Sequence, residues 1–326
     1  MTDRSFDFND PNVDLSTLQE NHEWFTNICQ HCPGHLFKDQ KLQPAWQHWL
    51  ARHPNHQFRQ AIACNDSLLP DNIALLANDD DANIRSSIAR NSSISSDQLH
   101  HLATDLSNHV RFGVAGHRNA STDALTRLAT DHDWAIRSTV ARNLNTSIEV
   151  LANLAKDRDE RVRRSVAKHP NIPLEVLLQL LNDSGKLVRQ AAAQHPKINI
   201  HMLKELANSP DYFLRTGVAS NPNASAELLV QLSHEQDIGI LEHVVKHPNT
   251  PIEVLARLAS CSYTYDTIHF HIAKNHNTPS NVLAHLAHHH HRDIVYEVSR
   301  NPNASKETRA IAFEHYRNNL PPYPIT

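Results

Sequence analysis

Residues 140–196 read VARNLNTSIEVLANLAKDRDERVRRSVAKHPNIPLEVLLQLLNDSGKLVRQAAAQHP, and the stretch repeats itself. Asn143, His169 and His195 mark the same point in successive copies. The mark continues on both sides, as Asn65, Asn91 and His117 before it and Asn221, His247, Asn275 and Asn301 after it. Each step is 26 residues except the 28 between His247 and Asn275. A fixed period of this size is the signature of a solenoid, whose units bury their apolar faces only against their neighbours.

Within one unit the pattern is helical. His169-Pro170-Asn171 predicts a turn, because the residue before a proline is pushed out of the α region. Pro173 suits the first turn of a helix and Glu175 favours its dipole. Val176, Leu177, Leu180 and Leu181 form one apolar stripe, and Val188 and Ala192 form a second, shorter one.

The same columns recur along the chain. Leu99, Leu125, Leu151, Leu177, Leu203, Leu229, Leu255 and Leu283 form one. Leu76, Leu102, Leu128, Leu154, Leu180, Leu206, Leu232, Leu258 and Leu286 form another. The second helix adds Val110, Ile136, Val162, Val188, Leu214 and Ile240, backed by Val114, Val140, Val166, Ala192, Val218 and Val244. These columns predict the core. Two short helices per unit and no strand pattern predict an all-α solenoid.

Composition fits this reading. The 326 residues are 40% hydrophobic and 20% charged, and the 6 glycines are too few for a turn-rich β fold. Apolar segments are short and broken by charge, so no transmembrane helix is expected. The opening MTDRSFDFND lacks an apolar signal core, which makes cytoplasm the expected location. A net charge of -4 argues against a dedicated nucleic-acid binder. The 26 histidines make the charge rise steeply in mild acid.

Two charged columns follow the repeat. Arg85, Arg111, Arg137, Arg163, Arg189 and Arg215 each have a polar residue six positions earlier: Asp79, Asp105, Asp131, Asp157, Asp183 and, for Arg215, Ser209. Stacked arginines invite a phosphate-binding reading, but opposite-charge ladders more often cross-link repeats and cap helices. A second basic column, Arg90, Arg142, Lys168, Lys246, Lys274 and Arg300, precedes the Asn/His turn. It reads as a solvated row suited to helix C-termini or as a contact edge for an anionic partner. Phe112, Trp134, Tyr212 and Phe213 lie near the starts of second helices, as contact anchors or local packing.

Cys29 and Cys32 form CQHCPGH, a spacing that lets two thiolates grip one metal or cluster edge. A thioredoxin-type pair lacks its βαβ surroundings, and disulfides are not expected in the cytoplasm. AHLAHHHHRD (284–293) places His285, His288, His289, His290 and His291 at a helix end. Such tracts bind zinc or nickel readily, yet a solvated loop is the plainer reading. No motif of a known catalytic constellation occurs, so an enzyme is not expected.

The segments HPNTPIEVLARLA (247–259), RNPNAS (300–305) and DRDERVRRSVAKHPN (157–171) resemble the leucine-rich repeat variant family over roughly residues 60–310. That resemblance implies an α-helix and a 3₁₀-like helix per repeat, wound into a right-handed superhelix without β-sheet. A weaker likeness to HEAT repeats lies in the Asp/Arg spacing. SCSYTYDTIHFHIAKN (260–275) departs from the pattern, with two extra residues and without the usual Asp and Arg.

Some members of the family open with a small [4Fe-4S] module that begins C-x-x-C-P. Cys29, Cys32 and Pro33 resemble that opening, and AWQHWLARHPN (45–55) resembles the helix that follows. Cys64 stands where most later repeats carry a basic residue, as a ligand recruited from the first repeat would. A Cys₄ cluster lacks its fourth thiolate here, because Cys261 lies many repeats away. The resemblance therefore leaves three outcomes: a [4Fe-4S] cluster completed by His31, His35, His48, His53 or an exogenous ligand, a Cys₃His zinc site, or a lost site.

These observations divide the chain into a cap at 1–58, about ten repeats over 59–314, and a tail at 315–326. They predict a non-catalytic scaffold for protein–protein interaction, with an iron–sulfur or zinc centre of structural or redox-sensing role. The alternatives are a metal-free scaffold with a degenerate cap and a nucleic-acid binder using the basic columns.

Overall fold

The computed structural model describes residues 38–39, 41–261 and 266–318. They fall into two compact units that divide between Pro173 and Leu174. All regular elements among the described residues are α-helices. The first unit holds Pro44–Ala51, His56–Ala63, Pro70–Leu76, Ala82–Ile88, Ser96–Leu102, Asn108–Gly116, Thr122–Leu128, Trp134–Val140, Ile148–Leu154 and Glu160–Ala167. The second holds Leu174–Leu180, Lys186–Ala193, Ile200–Leu206, Tyr212–Ala219, Ala226–Leu232, Ile238–Lys246, Ile252–Ala259, Asp266–Lys274, Ser280–Leu286, Arg292–Arg300 and Lys306–Asn318.

Helices this short are unstable alone, so caps and packing must hold them. Several first helices open on serine: Ser95, Ser121, Ser147 and Ser225 each accept a bond from the third helical N–H. Ser95 and Gln98 complete a reciprocal capping box. Several second helices open on aspartate: Asp81, Asp133, Asp159, Asp211 and Asp237 accept from the second helical N–H. The 3₁₀-like helix implied by the family resemblance does not occur among the described residues. Both members of a repeat close i→i−4 bonds, as in Ala103 N–H to the Leu99 carbonyl and Ala141 N–H to the Arg137 carbonyl.

The leucine and valine columns are buried, with one exception, since Leu206 is only half-covered. Neighbouring second helices approach closely enough to require a small residue. A Cβ on Gly217 would lie 2.6 Å from both the Ala193 Cβ and the Gln190 carbonyl oxygen. Two boundaries differ from the sequence reading. The boundary at residue 58 falls inside His56–Ala63, which pairs with Pro44–Ala51 as a helical hairpin, and Lys306–Asn318 runs past residue 314.

Candidate functional site

The arginine column cross-links successive repeats. In the first unit, Nε of Arg59, Arg85, Arg111 and Arg137 donates to Asp79, Asp105, Asp131 and Asp157 at 2.6, 2.7, 2.6 and 2.6 Å. Nη2 donates to the other carboxylate oxygen, making each pair bidentate. The carboxylate partner lies 20 residues later, in the next repeat, so the ladder cross-links repeats as the sequence reading expected. The residue six earlier contributes its backbone instead. Nη1 of Arg85, Arg111 and Arg137 donates to the carbonyls of Asp79, Asp105 and Asp131, and that of Arg163 to the Asp157 carbonyl.

In the second unit Arg215 pairs with Glu235 at 2.6 Å. Ser209 interrupts the aspartate column, and Arg189 reaches the helix cap Asp211 instead, at 2.5 Å. Burial raises the carboxyls of Asp79, Asp105, Asp131, Asp157 and Asp211, but hydrogen bonds from the paired guanidinium and from backbone N–H outweigh it. Their net position is below the ordinary 3.8. These arginines are thus occupied as structural cross-links and are not a phosphate-binding face.

The Asn/His column forms a second ladder. Nδ2 of Asn91 donates to the carbonyls of Ala63 and Asn65, and Nδ2 of Asn143 to those of Ala115 and His117. In the second unit Asn221 does the same to Ala193 and His195, and Asn301 to Ala273 and Asn275. Histidine substitutes with matching geometry. Nε2 of His117, His169 and His247 meets the carbonyl of the turn residue one repeat earlier, at 3.0, 3.1 and 2.9 Å. The other side-chain atom, Oδ1 or Nδ1, accepts the N–H two residues on, as in Ser93 to Asn91 and Asn119 to His117. A histidine can do both only as the neutral Nε2–H tautomer. Burial accordingly lowers His117 and His247 below the ordinary 6.5.

The second basic column is different. Arg90, Arg142, Lys168, Lys246, Lys274 and Arg300 are all exposed. Their local contacts are light: Arg90 to Ser86, Arg142 to Thr139, Lys246 to Glu242 and Arg300 to the Tyr296 hydroxyl. In the second unit this edge borders two clefts. One, of about 450 Å³, is lined by Lys246, His271 and Lys274, and the next, of about 310 Å³, by Lys274, Glu297 and Arg300. Of the aromatic residues, Trp134 is covered by the Arg161 guanidinium at 3.4 Å, and Phe213 lies beside Tyr212 and Lys186. They are local packing partners more than free anchors.

Cys29, Cys32, His31 and His35 lie outside the described residues. Cys64 is a partly exposed free thiol at the C-terminus of helix His56–Ala63. Nδ1 of His48 meets Asn72 Oδ1 at 2.9 Å, and Nδ1 of His53 accepts the Asn55 N–H at 3.1 Å. No helix among the described residues is long and apolar enough to cross a membrane.

Residues 160–185, which span helices Glu160–Ala167 and Leu174–Leu180, match the model of the leucine rich repeat variant family. This repeat is similar to the leucine rich repeat variant unit. The other repeats share its leucine and valine columns. No curated protein matches the chain. A solved leucine-rich repeat variant with a novel repetitive structural motif is similar at 23% identity, covering 68% of this chain and 87% of that one with a TM-score of 0.47. Importin beta is similar at 13% identity, with 88% of this chain and 47% of that one covered and a TM-score of 0.36.

Proposed function

We propose that this protein is a non-catalytic scaffold that binds a protein partner through exposed basic rows, Arg90, Arg142 and Lys168 on the first unit and Lys246, Lys274 and Arg300 on the second. One observation carries the reading. The Arg/Asp and Asn/His columns are consumed in holding repeat to repeat, whereas this column is left in solvent beside clefts. Rows of exposed cations suit an extended acidic surface and give no constellation for bond-breaking chemistry. An anionic polynucleotide suits the same cations, so the partner class is decided by experiment. At the N-terminus, Cys29, Cys32 and Cys64 are proposed to hold a [4Fe-4S] cluster or a zinc ion. Cys64 supports this as a partly exposed free thiol, and His31, His35, His48, His53 or an exogenous ligand supplies the fourth position.

The test is a charge-reversed chain, K246E/K274E/R300E, compared with the unmodified chain for partners retained from a native lysate and for retention on DNA and RNA at graded salt. The scaffold reading expects an unchanged circular dichroism spectrum and loss of a salt-sensitive protein partner. Loss of polynucleotide retention alone would shift the assignment to nucleic acid. Unchanged binding of both kinds would remove this edge from the site.

A further inference from the structure

Counted back from each turn residue, the arginine of a rung lies six positions before it, and the carboxylate of the same rung lies twelve positions before the next turn residue. Applied to Asn275 and Asn301, downstream of the two-residue insertion, this rule puts His269 in the arginine position and His289 in the aspartate position. The structure joins them as the rule requires. His269 Nδ1 and His289 Nε2 are 3.1 Å apart, and the residues are separated by 20 positions, as in the regular Arg–Asp rungs. His289 Nδ1 also accepts the N–H of His291 at 3.1 Å, as a rung aspartate accepts from the residue two ahead. Two imidazoles carry no opposite charges, so this rung lacks the attraction that holds the others.

Asp266, one turn before His269 on the same helix, brings a carboxylate to the pair. Its Oδ1 lies 3.7 Å from His289 Nε2 and its Oδ2 3.5 Å from His290 Nε2. One ligand atom from each of Asp266, His269 and His289 lies within 4.8 Å of the other two. Bonds of about 2.0–2.1 Å in a tetrahedral site place ligand atoms about 3.3–3.4 Å apart, so little movement is needed.

We propose that Asp266, His269 and His289 form a site for a divalent transition cation of the zinc and nickel class, which cross-links two repeats in place of the arginine–carboxylate rung. Two imidazoles and one carboxylate are a donor set suited to these ions and poorly suited to calcium or magnesium. A fourth position stays open to water or to His290, whose exposed ring stacks on His289 with centroids 4.4 Å apart. His269 also makes a backbone hydrogen bond to Ala259, the kind of second contact that fixes a ligating ring. Burial, reinforced by His269 and His290, pushes His289 down to about 4, and burial lowers His269 too, so both rings are neutral at pH 7. Loading has one local cost. His289 Nε2 exchanges its proton for the cation, and the proton moves to Nδ1, which gives up the His291 N–H.

Zinc titration of the full-length chain by calorimetry, with thiols kept reduced, tests the site. The key variant is H269R/H289D, which writes the regular rung into this position and preserves a cross-link. It is expected to bind one zinc equivalent fewer than the unmodified chain while keeping its helical spectrum and its Tm in zinc-free buffer. Any zinc held by the N-terminal cysteines is common to both chains and cancels in the difference. His288→Ala, in the same tract but outside the trio, is expected to keep the equivalent. Asp266→Asn is expected to weaken it by about tenfold or more, which gives a second reading should the double variant fold poorly. Full stoichiometry in H269R/H289D, or loss of the same equivalent in His288→Ala, would overturn the proposal in favour of loose binding by the exposed tract.

Discussion

Repeats at residues 59–157 and those at residues 238–301 share one backbone plan and differ in what ties each to the next. In the first region four arginines in succession clamp an aspartate of the following repeat. In the second, the arginine position is held by Leu241, His269 and Val295, and the rung at His269 joins two histidines. The Asn/His ladder and the apolar columns are present in both regions. The difference teaches that the fold needs the core and the turn ladder at every repeat, while the charged rung can be exchanged. The place where it is exchanged is also where a new ligand set arises.

The largest expected effect lies in the first region. Arg137 and Asp157 are among the least exposed of the pairs, at 6% and 8% for their side chains. Arg137→Ala strands a buried carboxylate and two backbone carbonyls, and denaturant unfolding is expected to show a loss of about 3–5 kcal/mol. A loss below about 1 kcal/mol would mean that the rung is ornamental. The turn ladder, common to both regions, should come next. His117→Ala leaves the Asn91 carbonyl and Asn119 N–H without their side-chain partners and is expected to cost about 1–3 kcal/mol. His117→Asn restores both bonds and should recover most of that stability, measured the same way.

In the second region the metal-free His rung is a neutral hydrogen bond, so His269→Ala should cost about 0.5–1.5 kcal/mol in zinc-free buffer. A loss as large as that of Arg137→Ala would erase the contrast between the regions.

Acid should act on both regions through the turn histidines before it reaches the carboxylates. Burial lowers His117 and His247 in the folded chain, so their contribution is full above the ordinary 6.5 and declines as pH falls below it, because only the unfolded chain takes up the proton. The rung aspartates, also lowered, add a second decline as pH falls below 3.8. Thermal unfolding across this range checks the order of the two phases. In a chain with Asn at His117, His169, His195 and His247, the first decline should shrink.

Much of this was legible in the sequence because periodicity reports columns directly. The all-α solenoid, the buried leucines and the structural role of the arginines all follow from the 26-residue step. The arginine's partner did not follow. Six residues before and 20 residues after differ by one whole period, so the column pattern cannot choose between them, and only the fold places the carboxylate in the next repeat. The turn ladder carries its own signal in the sequence. Every position in that column is Asn or His, the two side chains that can present a donor and an acceptor at matching separation. The His269–His289 pair was hidden by the insertion, which shifted the column just upstream and left the histidine tract looking like a solvated loop.

The central claim is that the side-chain pairs of the arginine column join each repeat to the next. A pair of double-mutant cycles on unfolding free energy tests it most directly, one joining Arg137→Ala with Asp157→Ala and the other joining Arg137→Ala with Asp131→Ala. The account predicts a coupling of about 1–3 kcal/mol for Asp157 in the next repeat and less than about 0.5 kcal/mol for the Asp131 side chain in the same repeat. Equal couplings, or the larger one at Asp131, would contradict it.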